Sequence, residues 1–445
     1  MFYKYHVFLV LLFSFTVALA QDKQPKVKDA FKASLVITSG FSYEFEEKDV
    51  QKSELILKPE FSYKLNKNSK FVLRGQLYTE LNDNLEAGVP KEETVSKFSK
   101  RLFIGDRANL ELREFYFYTN IQKKLRLTIG KQQIVWGETD GLKLLDVVNP
   151  QNFREFILDD FEDSRIPLWS LKAEFDIKDV GVQFVWIPDN TYHITQDFDA
   201  PFFTKSLFMA PPENVSMEFN KLEKPNRFIS DSDIGLKFST FTKGWDLSLN
   251  YFYHYSDLPV FYNELQITNT NVPIIKVNPK FKRQHLIGGT FNKVFGSSTF
   301  RGEFAYIFNQ NFMSTNPAAF RGIETSNVLK NAIGLDYIKG ENIISAQLFS
   351  DIITDDISAY NRKRFETNTS LKISREMMND NLNAEVLWVH NANHGDGYIK
   401  PQISYWMNSN TQLFLGSSVF YGNETKLFGQ FKDRSRVSLG IRWGI

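Results

Sequence analysis

The sequence predicts an all-β fold, a transmembrane antiparallel up-and-down β-barrel of about eighteen strands. Three observations lead to this prediction. Many short segments alternate apolar and polar residues, short connections between them alternate with long ones, and the last segment runs to the final residue. The chain is also 15% Phe, Trp and Tyr, the residues that form girdles at the two bilayer interfaces.

The strands are predicted from a two-residue period. In residues 169–177, WSLKAEFDI, apolar residues alternate with polar or charged ones, which is typical of a strand between two different media. Similar segments begin near residues 33, 54, 71, 110, 124, 169, 180, 232, 245, 283, 298, 331, 342, 366, 381, 398, 411 and 434. Their even number brings both termini to one side of the membrane. The segment 110–118, LELREFYFY, has charged and aromatic residues on both faces, so its orientation is not predicted.

The connections supply an independent test, because outer-membrane barrels alternate short periplasmic turns with longer external loops. Short connections are expected at 66–70, 120–123, 179, 242–244, 296–297, 340–341, 376–380 and 408–410. Longer ones are expected at 82–109, 136–168, 188–231, 256–282, 310–330, 352–365, 391–397 and 422–433. A soluble β-sandwich has no reason to sort its loops in this way.

The two ends of the chain agree with export to an outer membrane. Residues 1–20 resemble a secretory signal peptide, with Lys4 before a short apolar run and a small-x-small site that ends at Ala20. We expect cleavage after Ala20 and a single barrel over residues 21–445 in the outer membrane of a Gram-negative bacterium. At the other end, residues 436–445 alternate as the terminal strand signal of outer-membrane proteins does, although the last residue is Ile rather than the more usual Phe.

Charge and cysteine content exclude several classes of protein. The 53 Lys and Arg residues balance 52 Asp and Glu residues, so the chain has no basic field that could hold a nucleic acid. The absence of cysteine excludes disulfides, thiolate nucleophiles and cysteine-ligated metals. We expect no catalytic residues and no cofactor, with one possible exception, a Ca²⁺ ion in the loop described below.

An eighteen-strand barrel encloses more space than side chains fill, so a water-filled channel is expected unless something plugs it. Alternation directs ten charged residues toward this lumen: Arg74, Glu80, Arg126, Lys172, Glu174, Asp176, Arg301, Glu303, Arg436 and Arg442. Two interpretations stay open. The charges either orient polar solutes in the pore or are simply solvated there.

Residues 136–168 are the candidate constriction loop, because this long connection carries many apolar residues that would be poorly placed in external water. Its polar candidates are Asp146, Asn149, Arg154, Asp159, Asp160, Glu162, Asp163 and Arg165. Folded into the barrel, the loop would bury Phe and Leu and turn carboxylates toward the pore. Alternatively, it packs on neighbouring loops and closes the top of the barrel. Ca²⁺ could bind the carboxylates, although their spacing matches no EF-hand.

Several blocks in this region resemble the signature of a known family. They are LRE at 112–114, GKQQIVWGE at 130–138, DVVNPQ at 146–151, DDFEDSRIPLW at 159–169 and WIP at 186–188. These blocks are similar to those of domain-of-unknown-function family 1302 (DUF1302). The resemblance implies an outer-membrane barrel similar in architecture to alginate-export porins. It also implies a periplasmic lipid-binding partner, an exporter of the resistance-nodulation-division type and a hydrophobic or lipid-like cargo.

Three classes of function are considered for this sequence. The first is a channel, either a general diffusion porin or the outer-membrane step of a dedicated transport route. The second is an outer-membrane hydrolase, with His254 and Ser256 of the segment His254-Tyr255-Ser256 as candidates. Alternation disfavours it, because His254 faces the lumen and not the bilayer lipids. The third is a structural or adhesive barrel that does not conduct. We expect a monomer in contact with outer-membrane lipid.

Overall fold

The computed structural model describes residues 30–122, 124–197, 200–205, 215–267, 273–360 and 362–445. The predicted signal peptide, residues 1–20, lies outside the described residues. The described chain forms a closed antiparallel barrel of 18 strands, as the sequence predicts. The barrel strands are β1 (Phe31–Glu44), β2 (Val50–Lys64), β3 (Ser69–Glu80), β5 (Ala108–Ile121), β6 (Leu125–Gln132), β7 (Leu168–Ile177), β8 (Val180–Ile187), β10 (Asp233–Thr242), β11 (Trp245–Tyr255), β14 (Arg283–Phe295), β15 (Ser298–Met313), β16 (Ile323–Lys339), β17 (Asn342–Ile353), β18 (Phe365–Met377), β19 (Leu382–Asn391), β20 (Asp396–Asn408), β21 (Thr411–Tyr421) and β22 (Arg436–Gly444).

Four short strands lie outside the barrel circuit: β4 (Leu102–Phe103), β9 (Ser216–Phe219), β12 (Val260–Ile267) and β13 (Pro273–Lys280). The last three form a small separate sheet, in which β13 pairs antiparallel with β12 and parallel with β9. The helical elements are short, α1 (Phe161–Ser164) and a 3-10 turn at Gly429–Arg434. No helix in the described part of the chain is long and apolar enough to cross a bilayer.

The barrel closes because its first and last strands pair. Val36 lies opposite Gly444 and Glu44 lies opposite Arg436, with an unbroken register between these two pairs. Every other barrel strand pairs with its barrel neighbours in chain order. Closure leaves no edge strand, so the backbone polar groups of the wall can be satisfied within it.

The structure confirms the predicted strands. The clearest difference in a strand boundary is β16, which begins at Ile323 rather than near residue 331. This strand is longer because it continues to pair with β15 up to Met313, at the long-loop end of the barrel. The predicted short connections lie at the opposite end, which we call the short-turn end. Two connections at the long-loop end are also short, 45–49 and 392–395, and the second of these was predicted as one of the longer connections.

The two faces of the wall differ as the alternation requires. On β22, Leu439, Ile441 and Trp443 are 51%, 39% and 40% exposed on the outer surface. Arg436, on the opposite face, is 4% exposed and lies inside the barrel. An apolar outer band meets lipid tails, while the polar face meets whatever fills the lumen.

A β-bulge explains the segment that alternation could not orient. The pairing of β3 with β5 shifts between Arg74 and Gly75, because Arg74 lies opposite Glu114 whereas Gly75 lies opposite Leu112. Arg113 is the extra residue of β5, so the outward positions move from Leu112 to Phe115. A bulge of this kind re-aims side chains. Here it turns both Arg113 and Glu114 toward the lumen.

Candidate channel interior

The connection between β6 and β7, residues 133–167, folds into the barrel, and we call it the inserted loop. Two groups of its apolar side chains pack on opposite parts of the wall. The first group joins Trp136, Leu144, Leu145 and Val148 to Val185, Phe252, Leu286, Ala305 and Phe349 of the wall. The second joins Phe156 and Leu158 to Tyr398 and Phe420 of the wall and to Phe428 and Phe431. The loop therefore spans the lumen instead of following one side of it.

Glycines in the wall make room for the loop. A Cβ atom on Gly235 would lie 2.6 Å from the Trp136 ring, and one on Gly288 would lie 2.5 Å from the Leu145 side chain. Contacts this short do not occur, so a larger residue at Gly235 would displace Trp136. A larger residue at Gly288 would displace Leu145 and would also press on the Phe304 carbonyl of the wall, 2.7 Å away. The lumen wall is thus shaped for these two side chains.

Asn149 holds together the two ends of the inserted loop. Its Oδ1 accepts a hydrogen bond from the Ile134 amide at 2.7 Å, and its Nδ2 donates to the Ile166 carbonyl at 2.8 Å. Arg165 Nε donates to Asp146 Oδ2 at 2.7 Å across the same region. Asn149 is 1% exposed, so its hydrogen bonds fix the base of the loop in a setting that water does not compete for.

Glu303 of β15 anchors the loop to the far wall. Its carboxylate accepts backbone N–H groups from Glu138, from Thr139 at 2.9 Å and from Leu145 at 3.0 Å. Next to it, Arg301 donates to the Glu138 carbonyl and pairs with Asp140 and Asp336. These two predicted lumen residues therefore bind the loop, rather than facing open solvent.

Glu155 is the centre of a buried ion network on the other side of the barrel. It pairs with Lys52 of β2 at 2.7 Å and with Arg436 of β22, and Arg154 lies 3.6 Å away. Burial alone would raise the pKa of Glu155, but these three cations outweigh burial and hold that pKa below its ordinary value. The network ties the loop to β2 and to the last strand, β22.

Four further contacts join the second half of the loop to the wall. Lys400 donates to the Leu158 carbonyl at 2.8 Å, and Lys58 pairs with Asp163. Arg113, aimed inward by the bulge, donates to the Arg165 carbonyl at 2.8 Å. Arg154 lies over the Tyr78 ring at 4.1 Å. These contacts come from strands that are far apart in sequence.

A second long connection, residues 81–107, packs on the inserted loop. Its Leu85 is fully buried in the cluster that contains Phe156. Arg101 pairs with Glu86 at 2.7 Å and with Glu92 at 2.5 Å, which holds the connection in a compact shape. Glu80, a predicted pore residue, is 4% exposed and accepts the Leu85 amide at 3.3 Å.

The predicted lumen charges nearer the short-turn end form pairs along the wall. Arg74 pairs with Glu60 at 2.8 Å and Glu114 at 3.0 Å. Arg126 pairs with Asp176 at 3.2 Å, and Lys172 pairs with Glu174 at 3.4 Å. Arg442 is exposed, as is Asp176. These residues are more accessible than those that hold the loop, so the short-turn half of the lumen is the more open half.

The remaining candidates of the loop divide between buried and exposed positions. Asp160 and Glu162 are exposed, whereas Asp159 is half-buried. Among the described residues, no three His, Asp or Glu side chains lie together in a way that could hold a metal ion. This arrangement does not favour the Ca²⁺ hypothesis for the acidic loop, and Ca²⁺ binding there stays a prediction.

The sequence did not single out Glu155, Lys52, Lys143 or Lys400, although each has a central contact with or within the loop. Lys52 and Lys400 follow the inward positions of their strands, so alternation could have found them. Glu155 and Lys143 lie in the loop itself, where side chains do not alternate with a two-residue period, so alternation could not have found them.

Between the inserted loop and the wall lies a cavity of about 400 Å³. Apolar side chains such as Leu142, Val147 and Phe349 line it beside polar and charged ones such as Lys143, Asp159 and Asp351. Burial lowers the pKa of Lys143 to about 8, with Asp146 opposing that effect. A cavity of this volume can enclose a small organic molecule.

Comparison with known proteins agrees with this geometry. The family model described as "Protein of unknown function (DUF1302)" matches residues 44–443. The chain belongs to this family. No curated protein matches the sequence significantly. The DUF1302 resemblance is thereby confirmed, while the likeness to alginate-export porins stays a prediction.

Solved outer-membrane porins share the fold of this DUF1302 protein. Pseudomonas aeruginosa OccK5 (OpdH) has a TM-score of 0.51 and 11% identity, covering 94% of this chain and 98% of that one. Acinetobacter baumannii OccAB2 has a TM-score of 0.53 and 8% identity, with coverage of 94% and 98%. Pseudomonas aeruginosa OpdK, solved with vanillate, has a TM-score of 0.51 and 12% identity, with coverage of 94% and 99%. At these identities the likeness shows the fold alone, which is that of an outer-membrane porin.

Proposed function

We propose that this DUF1302 protein is an outer-membrane channel for the outer-membrane step of a dedicated transport route, with a hydrophobic or lipid-like solute as cargo. The observation that supports this proposal best is the cavity of about 400 Å³ inside the lumen. The inserted loop and the wall both present apolar side chains to it, including Val147 and Phe349. A general diffusion porin needs only water in this space.

The partners implied by the family fit the same route. A periplasmic lipid-binding protein would deliver cargo to the short-turn end, and an exporter of the resistance-nodulation-division type would act before it. The short-turn half of the lumen is the more accessible half, with partly exposed pairs such as Arg74 and Glu60. This supports entry of cargo from that end.

The charge pairs favour a second candidate cargo, a small polar solute. Arg126 and Asp176 present both signs of charge to the short-turn half of the lumen. Charged side chains that line a pore select among polar and charged solutes, and these two lie side by side on neighbouring strands. The two cargo classes predict different occupants of the cavity near Phe349, an apolar body in one case and a small polar molecule in the other.

Catalysis is not part of the proposal. His254, the candidate base, is buried and stacks on Phe252 with 4.4 Å between ring centroids. Ser256 Oγ donates instead to the Leu258 carbonyl at 2.8 Å. A nucleophile and its base must lie within hydrogen-bond reach of each other, and these two groups have other contacts.

Liposome swelling with the purified full-length protein tests the proposal. A dedicated route for apolar cargo predicts slow swelling with mono- and disaccharides and faster swelling with amphipathic solutes of equal mass. Swelling that is fast for sugars and falls smoothly with their size would identify a general diffusion porin instead. A protein that supports no swelling with any solute would be a structural barrel.

A further inference from the structure

The cavity between the inserted loop and the wall has an excess of carboxylates. Its charged lining residues are Lys143, Lys330, Asp146, Asp159, Asp257 and Asp351. His193 also lines it, but its Nδ1 accepts the Gln151 amide at 2.9 Å, which requires that nitrogen to be unprotonated. The cavity therefore has fewer cations than carboxylates.

Both lysines already have partners. Lys143 donates to Ser164 Oγ at 3.2 Å and to the Phe161 carbonyl at 3.4 Å. Lys330 pairs with Asp351 at 3.3 Å, and Arg362 pairs with the same carboxylate at 2.9 Å. Neither lysine is placed to bind an anionic solute without first losing these contacts.

Two of the other carboxylates are not paired in this way. Asp159 and Asp257 have no hydrogen-bond or ion-pair partner for their carboxylates among the described residues. Asp146 is 7% exposed and its Oδ2 pairs with Arg165 at 2.7 Å and with Lys143 at 3.6 Å, while its Oδ1 is buried without a hydrogen-bond partner. A buried acceptor without a donor costs free energy, so Asp146 Oδ1 favours a donor. The carboxylates of Asp159 and Asp257 are half-buried, so they are accessible to a ligand that brings donors.

Asp159 and Asp257 lie outside the barrel strands, and the directions of their pKa shifts agree with this interpretation. Burial, and then the Glu155 charge, raise the pKa of Asp159 to about 6. Burial also raises the pKa of Asp257 well above its ordinary value. Both shifts indicate that nearby cations do not compensate the cost of burying these carboxylates.

The rest of the lining is apolar and rich in aromatic rings. Phe153, Phe161 and Phe349 line the cavity together with Val147 and Leu142. Apolar side chains favour an apolar body, and aromatic faces also attract an organic cation. No three acidic or His side chains of the described chain lie close enough to hold a metal ion, which favours an organic cation over a bare one.

We infer that this cavity binds a solute with an apolar body and an amine head group, whose N–H donors reach the carboxylates of Asp159 and Asp257. The inference rests on the proposed function, because it names the chemical class of solute that the channel takes. The amine supplies the donors and the positive charge that the carboxylates lack, while the chain or ring lies against Phe349 and Val147.

Isothermal titration calorimetry on the full-length protein in detergent micelles tests this inference with three probes of matched shape. They are 4-phenylbutylamine, 4-phenylbutan-1-ol and 4-phenylbutanoate, each titrated also into protein-free micelles. We expect saturable binding of the amine at least tenfold tighter than that of the alcohol, and weaker binding still for the carboxylate. Equal or tighter binding of the carboxylate would overturn the inference, as would the absence of saturable amine binding.

Variants then locate the site. Asp159→Asn and Asp257→Asn should each weaken amine binding about tenfold and leave alcohol binding unchanged. Phe349→Ala should weaken both. Asp179→Asn, in the turn between β7 and β8, is the matched control and should change neither. Heat-modifiable migration on a gel checks that each barrel is folded, and two separate carboxylate variants keep the test valid if one does not fold.

Amine binding that both Asp variants leave unchanged would place the amine elsewhere and overturn the inference. Failure of the proposed function can be distinguished from failure of the amine inference. A protein that supports swelling but has no amine preference is a channel with another cargo. A protein that binds the amine at this site but supports no transport has the binding site without the channel function.

Discussion

Glu303 is predicted to be the anchor that keeps the inserted loop docked, and Glu303→Ala tests this role. The carboxylate is 2% exposed and accepts three backbone N–H groups of the loop, from Glu138, Thr139 and Leu145. A hydrogen bond to a charged group contributes about 1.5–3 kcal/mol. Because water can enter the vacated space, we expect a loss of only about 3–4 kcal/mol for the three together.

Hydrogen exchange measured by mass spectrometry reports this loss directly. Since each 1.4 kcal/mol is a factor of ten, amides within residues 137–146 should exchange roughly 100- to 1,000-fold faster in Glu303→Ala. Glu303→Gln keeps one acceptor oxygen, so its effect should be smaller. Glu385→Ala is the control, because Glu385 lies on the same kind of wall strand but pairs with Lys372 at 3.4 Å.

If exchange in residues 137–146 is no faster in Glu303→Ala than in Glu385→Ala, Glu303 does not hold the loop. The barrel should stay folded in both variants, because wall hydrogen bonds are not changed. A general rise in exchange across the strands would mean that Glu303 supports the wall itself, which contradicts the assigned role.

Three more predictions concern the same loop. Glu155→Gln leaves Arg436 buried without its carboxylate and leaves Lys52 with Glu54 as its remaining partner, so it should destabilise the fold by about 3 kcal/mol. The measurement is the temperature at which heat-modifiable migration is lost, and a temperature equal to that of Asp179→Asn would contradict this prediction. Gly235→Ala places a Cβ 2.6 Å from the Trp136 ring, so trypsin should cut at Lys143 faster than in the parent protein. An unchanged rate would show that the loop does not need this space. The raised pKa of Asp159, about 6, means that proton uptake stabilises the docked loop below this pH and that the stabilisation is lost as pH rises through 6. The protection of the loop amides from hydrogen exchange, corrected for the intrinsic exchange rate, should therefore increase from pH 7 to pH 5. Asp159→Asn should abolish this increase. Protection that does not change with pH in the parent protein would show that Asp159 does not stabilise the loop by taking up a proton.

The barrel could be predicted from the sequence because the bilayer imposes the same rule on every strand. Each wall residue faces either lipid or lumen, so a two-residue period marks the strands, and the sorted connection lengths give their direction. The rule fails where the backbone departs from it. The bulge at Arg113 inserts one residue and reverses the pattern, which is why residues 110–118 could not be oriented from the sequence.

The interior was less predictable, because its contacts join distant parts of the chain. The apolar content of residues 136–168 predicts that this loop is buried, and the structure places it across the lumen. No local pattern predicts that Glu155 meets Lys52 and Arg436, which lie 103 and 281 residues away. Glu303 and Arg301 were predicted as pore residues from alternation alone. Alternation shows that these side chains face the lumen, but it does not show that the inserted loop contacts them there. How the loop affects conduction stays a prediction.

The most direct test of the account is single-channel conductance of the purified protein in a planar bilayer, compared with a variant that lacks residues 146–162. If the protein is a channel narrowed by the inserted loop, the parent protein will give small discrete steps and the variant will give clearly larger ones. A parent protein that gives no steps, or a folded variant with unchanged steps, would contradict it.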